Sequence, residues 1–466
     1  MSSPGIARTC ANADTEAALA QGFETSSGRL SRQPSLANIV VCARAKGGIV
    51  RSFLHRRATF TAATLFLLIL SGPPKLRIRD PEASLRGEID WVVKLHLVVW
   101  GLAGLWVLLQ MTKRLQAGRA PLRLHPPQIL GLGVILGLTV SIAASAAPAL
   151  TAFKVYQILV SMLFAQIFTE RFGIATSLKA LLWGNAMLCV AIAICAYLVP
   201  DLVWTPSEFN PDPSRLFGDR IAQTGIVSVL AIILLLTGVR KIWKALPLSL
   251  LVLFLSLLVL SLLRTAYIAA FVFFLLILLR RPEIKPLRRF AYFLFAFLLL
   301  LYACGVIPSL SQYRDPDTVS TLGDRIGLWR HLTAVTLEQS PWFGLGYYSA
   351  SRIHGPEYNP GLGTAHSVFF EVLSGGGVVS FALFLALCAT LSVYAVRLLY
   401  LKKDRFSFAA GALFIACLLF GFTEESIDSG PVAICFWCSA AILPWLHKWS
   451  TKRNPIVRES AVHATS

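Results

Sequence analysis

The chain has 466 residues, of which 56% are hydrophobic and only 14% charged, against about 45–50% and about 25% in soluble domains. This excess of apolar residues excludes a soluble domain and requires a membrane. The formal net charge of +19 does not call for nucleic acid, because lysines and arginines cluster in short stretches between apolar runs, where cytoplasmic loops carry them.

In chain order, residues 1–57 are polar, rich in Ala, Ser and Arg, and without sustained period, as expected of a mostly disordered cytoplasmic extension. The charged stretch before the first apolar run is too long for a cleaved signal peptide. Apolar runs matching a hydrocarbon thickness of about 30 Å then predict twelve spans, at 58–71, 90–110, 128–147, 150–168, 177–199, 220–239, 246–263, 265–280, 287–306, 376–400, 406–421 and 430–446. The expected fold is therefore all-α, a polytopic membrane unit over 58–450 with one large outer loop over 307–365 and a cytoplasmic tail over 451–466.

With residues 1–57 inside, the loops Lys113 to Arg123, Arg171 to Lys179, Arg240 to Lys244, Arg280 to Arg289 and Arg397 to Arg405 also fall inside, and all are basic. The outer loop "TEESIDSG", Thr423 to Gly430, carries no Lys or Arg. "KLRIRDPEASLRGEID" after the first span is basic although predicted outside; either that span does not cross or the rule is overruled there. Cys189, Cys195, Cys304, Cys388, Cys417, Cys435 and Cys438 lie within apolar segments and read as small buried hydrophobes, including the Cys435-x-x-Cys438 pair.

This topology gathers arginines at the outer end. Arg215 and Arg220 precede a span in "RLFGDRIAQTG", Arg264 marks an outward turn in "SLLRTAYIAA", and the large outer loop adds Arg314, Arg325, Arg330 and Arg352. Cations near membrane depth are costly and by default functional. Guanidinium forks offer paired donors at any relevant pH and suit a phosphate group. A lipid-linked diphosphate fits, with its polyprenyl tail between helices and its head on the arginines. The bland reading of any one arginine is headgroup snorkelling or an ion pair with a carboxylate such as Asp324 or Asp219.

His366 follows a glycine-broken loop in "GLGTAHSVFFEVLSGGG". A neutral imidazole can take a proton from a sugar hydroxyl near neutral pH, so His366 is the candidate general base. Glu371, about a turn and a half further on, is a candidate partner for it. Gly375 to Gly377 reads as a break between a short interfacial helix and the next span, since no strand precedes it to make a phosphate cradle. The chain has no GxxxxGK[ST], no HExxH and no outer aspartate pair at Mg²⁺ spacing, so neither nucleotide, metal nor other cofactor is expected.

Four stretches together, "RLFGDRIAQTG", "SLLRTAYIA", "GDRIGLWRHLTAVTLEQSPWFGLGYYS" and "AHSVFFEVLSGGGVVSF", resemble the successive signatures of the O-antigen ligase and polymerase superfamily, over roughly residues 200–400. The resemblance implies a twelve-helix GT-C-type glycosyltransferase of the bacterial inner membrane, with its active site facing the periplasm. It implies an undecaprenyl-diphosphate-linked glycan donor, a lipid A–core or glycan acceptor, and catalysis without metal or nucleotide. Arg215 and Arg325 then match the diphosphate-binding arginines and His366 the acceptor-activating histidine; Arg264, Arg330, Arg220, Trp329 and Glu371 are carried as substrate-binding candidates. Ser367 stands where the family usually has Asn, and the Pro-Asn pair often found after the first arginine is absent. The expected reaction is ligase-type transfer with inversion. The alternatives are a polymerase acting on a second lipid-linked repeat, and a transporter that binds the same lipid without chemistry.

Overall fold

The computed structural model describes residues 91–118, 120, 122, 124–205, 215–216, 223–238, 245–279, 324–360, 363–401, 404–424 and 427–452. The expected extension 1–57, the spans at 58–71 and 287–306, most of the tail, Arg220 and Arg314 lie outside them.

In chain order the described helices are α1 (Trp91–Gln116), α2 (Pro126–Val140) with a 3-10 extension (Ser141–Ala144), α3 (Pro148–Phe172), α4 (Ile174–Leu198), α5 (Thr224–Gly238), α6 (Ala245–Ser261), α7 (Arg264–Leu279), α8 (Arg325–Gln339), α9 (Ser349–Tyr358), α10 (Val368–Leu401), α11 (Arg405–Gly421) and α12 (Gly430–Lys452). A two-residue hairpin, β1 (Trp204–Thr205) with β2 (Arg215–Leu216), lies between α4 and α5. The ten expected spans that fall on described residues are all helices. Six of these, α1, extended α2, α3, α4, α10 and α12, are long and apolar enough to cross a membrane, while α5, α6, α7 and α11 are apolar but shorter.

Local chemistry sets the ends. Proline occupies the first turn of α2 and of α3, where its missing N–H breaks no helical bond. Asp404 caps α11 by accepting from the Ser407 amide at 2.9 Å. Gly173, at φ 82°, makes the one-residue reversal between α3 and α4.

Burial sorts centre from perimeter. Every residue of α5 from Thr224 to Thr237 is buried, and 83% of the apolar window of α12 is buried against 22% for α1. Small residues let the backbones close up, as membrane helices require without a hydrophobic drive between them: Gly131 faces Met162 and Trp437, and Gly137 faces Ser380. Leu102, Leu105 and Leu108 of α1 and Leu136 of α2 remain exposed, as lipid-facing residues do.

Hydrogen bonds between distant segments tie together one end of the bundle. Ser145 meets Ser349 at 2.7 Å, Lys154 meets Asp428 at 2.5 Å, and Gln223 donates to Glu424 at 2.6 Å. Gly225 at the start of α5 lies beside Ser261 and Ala266 at the α6–α7 turn. At the opposite end Arg114 pairs with Glu170 at 2.5 Å and Arg171 donates to Gln110. α10 starts at Val368, earlier than the expected 376, because it joins the short helix before the glycines to the span across a kink. The expected break is there, at Gly377 (φ 66°, ψ −171°).

Candidate functional site

The site is assembled around the turn that ends α11. Ser367, adjacent to His366, places its hydroxyl 3.4 Å from the Gly421 carbonyl, and Arg325 donates through Nη1 to the Thr423 carbonyl at 3.3 Å. Gln223, just before α5, reaches Glu424 on the same turn. Arg325 is the first residue of α8 and His366 lies just ahead of α10, so three elements remote in sequence meet over four residues.

His366 has a left-handed backbone, φ 49°, which costs a non-glycine residue about 1–2 kcal/mol and persists only where the surroundings over-determine it. Those surroundings are visible. Ala365 and Ser367 are buried, at 0% and 1% exposure, while His366 between them is partly exposed. The Ala365 carbonyl accepts from Trp329 Nε1 at 2.7 Å, and the Ala365 amide donates to Glu371 Oε2 at 3.4 Å. The imidazole is thus held with its neighbours pinned on both sides; its Nε2 lies 3.3 Å from the Thr364 hydroxyl.

Trp329 and Glu371 therefore both hold Ala365, the residue before His366. The Trp329 ring stacks on Phe370 with centroids 4.5 Å apart and planes 9° apart. Glu371 has no exposed surface; its Oε1 accepts the Tyr348 amide at 2.8 Å and the Ser351 hydroxyl at 3.1 Å. Glu371, expected as a substrate contact or as a partner of His366, thus accepts from two backbone amides and the Ser351 hydroxyl, one of those amides belonging to the residue before His366.

The remaining arginines occupy different places. Arg215 is on β2 opposite Thr205, and this strand packs against α6. Arg264 opens α7 at the expected outward turn and is exposed. Arg330 is exposed, about 100° round α8 from Trp329. Asp324, the carboxylate expected beside the loop arginines, fastens this segment by accepting from Tyr358 at 2.8 Å and from Asn359 at 3.4 Å. The Asp324 hydrogen bond holds the Tyr358 phenol above its ordinary range.

A second charged group went unnoticed in the sequence. Lys154, near the start of α3, pairs with Asp428, which also accepts from Ser429 at 3.1 Å. The Lys154 ammonium sits 4.1 Å and the Arg352 guanidinium 5.0 Å from the Tyr348 ring centroid, a cation–aromatic contact on each count, and Arg352 also donates to the Tyr348 hydroxyl at 2.9 Å. A lone lysine inside "TAFKVYQILV" opposite an acidic outer loop was the available signal. Among the described residues no three His, Cys, Asp or Glu side chains gather in a metal-holding group.

Residues 249–385 match the family model described as O-antigen ligase. The matched segment runs from α6 into α10 and includes Arg264, Arg325, Trp329, His366 and Glu371, but not Arg215. It places this region in the O-antigen ligase and polymerase superfamily, an assignment that supports a multi-pass bacterial membrane enzyme of that type. No curated protein matches the chain.

Proposed function

We propose, with the O-antigen ligase domain of residues 249–385 as premise, that the protein transfers a glycan from undecaprenyl diphosphate to an acceptor sugar hydroxyl at the periplasmic face of the inner membrane. The observation that carries this reading is the meeting of Arg325 and the His366 segment on the turn at Gly421 to Thr423. A base and a cationic fork belong together where a hydroxyl attacks and a diphosphate departs.

His366 takes the proton of the acceptor hydroxyl. The oxygen bonds to the anomeric carbon as the bond from that carbon to the diphosphate oxygen breaks, and the electron pair leaves with the diphosphate. A single displacement inverts the anomeric centre. Arg325, with one arm of its fork fixed by the Thr423 carbonyl, and Arg215 stabilise the charge on the leaving group. Charge-assisted hydrogen bonds contribute about 1.5–3 kcal/mol each, so two such residues lower the barrier substantially. Arg264 sits at the same end of the bundle as a further contact for the donor. Trp329 and Glu371 act through His366 and not on the sugar.

The test uses purified protein in lipid nanodiscs with glycan-labelled donor. Free undecaprenyl diphosphate should appear only when an acceptor is supplied. Transfer to lipid A–core identifies a ligase, and transfer only to a second lipid-linked repeat identifies a polymerase. His366→Ala should retain donor binding and lose transfer. Full activity in that variant removes the base assignment, and lipid movement without product supports a carrier instead.

A further inference from the structure

The loop between α8 and α9 carries two large apolar side chains that the bundle leaves uncovered: Trp342 is 63% exposed and Phe343 45%. This is no loose tip. Leu345 donates to the Ser374 carbonyl at 2.9 Å and Gly346 to Gly375 at 3.0 Å. In return Val378 donates to Pro341 at 2.9 Å and Val379 to Trp342 at 3.3 Å. The contact is backbone on backbone, since a Cβ on Gly377 would lie 2.4 Å from the Trp342 carbonyl carbon. The α10 kink thus opens amide and carbonyl groups that the loop takes up, and the aromatic pair is held where it stands.

That place is level with the start of the lipid-facing span. Val378 and Val379, at 38% and 37% exposure, begin the α10 segment below the kink, and Leu385, Val393 and Val396 continue its exposed apolar residues. The neighbouring α2, packed on α10 through Gly133 and Gly137, exposes Leu136 and Val140. Trp342 and Phe343 therefore extend the apolar belt of the bundle onto a segment that does not itself cross the membrane. Amphipathic aromatic rings favour the boundary between headgroups and acyl chains.

We infer that Trp342 and Phe343 are an interfacial anchor, seated in phospholipid of the leaflet on the His366 side. The loop follows directly from α8, which carries Arg325 and Trp329, so the anchor fixes the height of α8 against the bilayer. The α10 segment from Val368 to Gly376 adds about 13 Å of helix between the anchor and the histidine, which places the reaction centre outboard of the aromatic pair. The inference rests on the membrane location of the bundle and not on the chemistry proposed for it.

Tryptophan emission of the full chain in nanodiscs tests it. The Trp342 component is the difference between the wild type and Trp342→Phe, measured in ordinary phosphatidylcholine and in lipid brominated near the glycerol end of its acyl chains. The component should be blue-shifted, lose most of its intensity in brominated lipid, and resist aqueous iodide. Phe343→Trp in the Trp342→Phe background should restore a component with the same behaviour, which guards against a folding effect of the first substitution. Quenching by iodide but not by bromine puts the loop in water and overturns the inference; quenching by neither, in both variants, means that protein, such as a second copy, covers the pair, and overturns it equally.

Discussion

Replacing Glu371 separates support of the histidine from contact with substrate. Its Oε1 already accepts two bonds, from the Tyr348 amide at 2.8 Å and the Ser351 hydroxyl at 3.1 Å, while Oε2 serves the Ala365 amide at 3.4 Å. In Glu371→Gln the amide oxygen can keep the Oε1 position and both its bonds, so the new NH₂ faces the Ala365 N–H. The damage is then confined to the residue preceding His366. A buried donor left without its acceptor costs about 1–3 kcal/mol, which, expressed wholly in the placement of the imidazole, slows turnover roughly 5- to 160-fold. Glu371→Leu strands the Tyr348 and Ser351 donors as well and should destabilise the fold by about 3–9 kcal/mol, less what is recovered by no longer burying a carboxylate. The assay is release of undecaprenyl diphosphate at saturating acceptor, with kcat and donor KM measured separately beside a thermal melt. Glu371→Gln is expected to lower kcat, leave donor KM alone and barely move the melt. A raised KM at unchanged kcat would refute the support role and make Glu371 a substrate contact; wild-type kcat would sever its link to His366.

Other substitutions probe the same assembly. Trp329→Phe keeps the stack on Phe370 and deletes the 2.7 Å bond to Ala365, a loss of about 1 kcal/mol, so the release assay should show kcat down by roughly fivefold at normal expression. Gly377→Ala must accept a left-handed backbone costing about 1–2 kcal/mol and a Cβ 2.4 Å from the Trp342 carbonyl carbon; its melting temperature should fall well below that of Gly363→Ala, where the new methyl meets nothing within 4 Å. The raised Tyr358 phenol contributes stability that is complete below its ordinary pKa near 10 and is lost as pH climbs through the folded value. In a phenolate absorbance titration, Tyr358→Phe should accordingly lack one group that in the wild type ionises above that ordinary value.

What the sequence disclosed and what it hid follow from the range of the forces involved. Helices α1 to α7 and α10 to α12 were legible because bilayer thickness writes itself into uninterrupted apolar runs, and the glycines at 375–377 announced a break because few other residues allow one. α8 and α9 carry no such runs. They are fastened by single side chains to partners 34 to 98 residues away, Tyr358 to Asp324 and Arg325 to Thr423, and no local pattern records such a bond. The turn at Gly421 to Glu424 was hidden for a further reason: two of its contributions are backbone carbonyls, which every residue possesses. His366, Arg325, Trp329 and Glu371 could be picked out by residue type, but their division of labour could not, because a buried glutamate accepting backbone amides and an exposed one awaiting a sugar are the same letter. Here the glutamate is buried. The two cations on Tyr348 make the same point in reverse, for Lys154 looked like an isolated charge in an apolar run until folding set it against Asp428, in the loop that begins by holding Arg325. If that loop is the frame on which base and leaving-group arginine are aligned, weakening its far end with Asp428→Asn should lower kcat in the release assay, and an unchanged kcat would refute it.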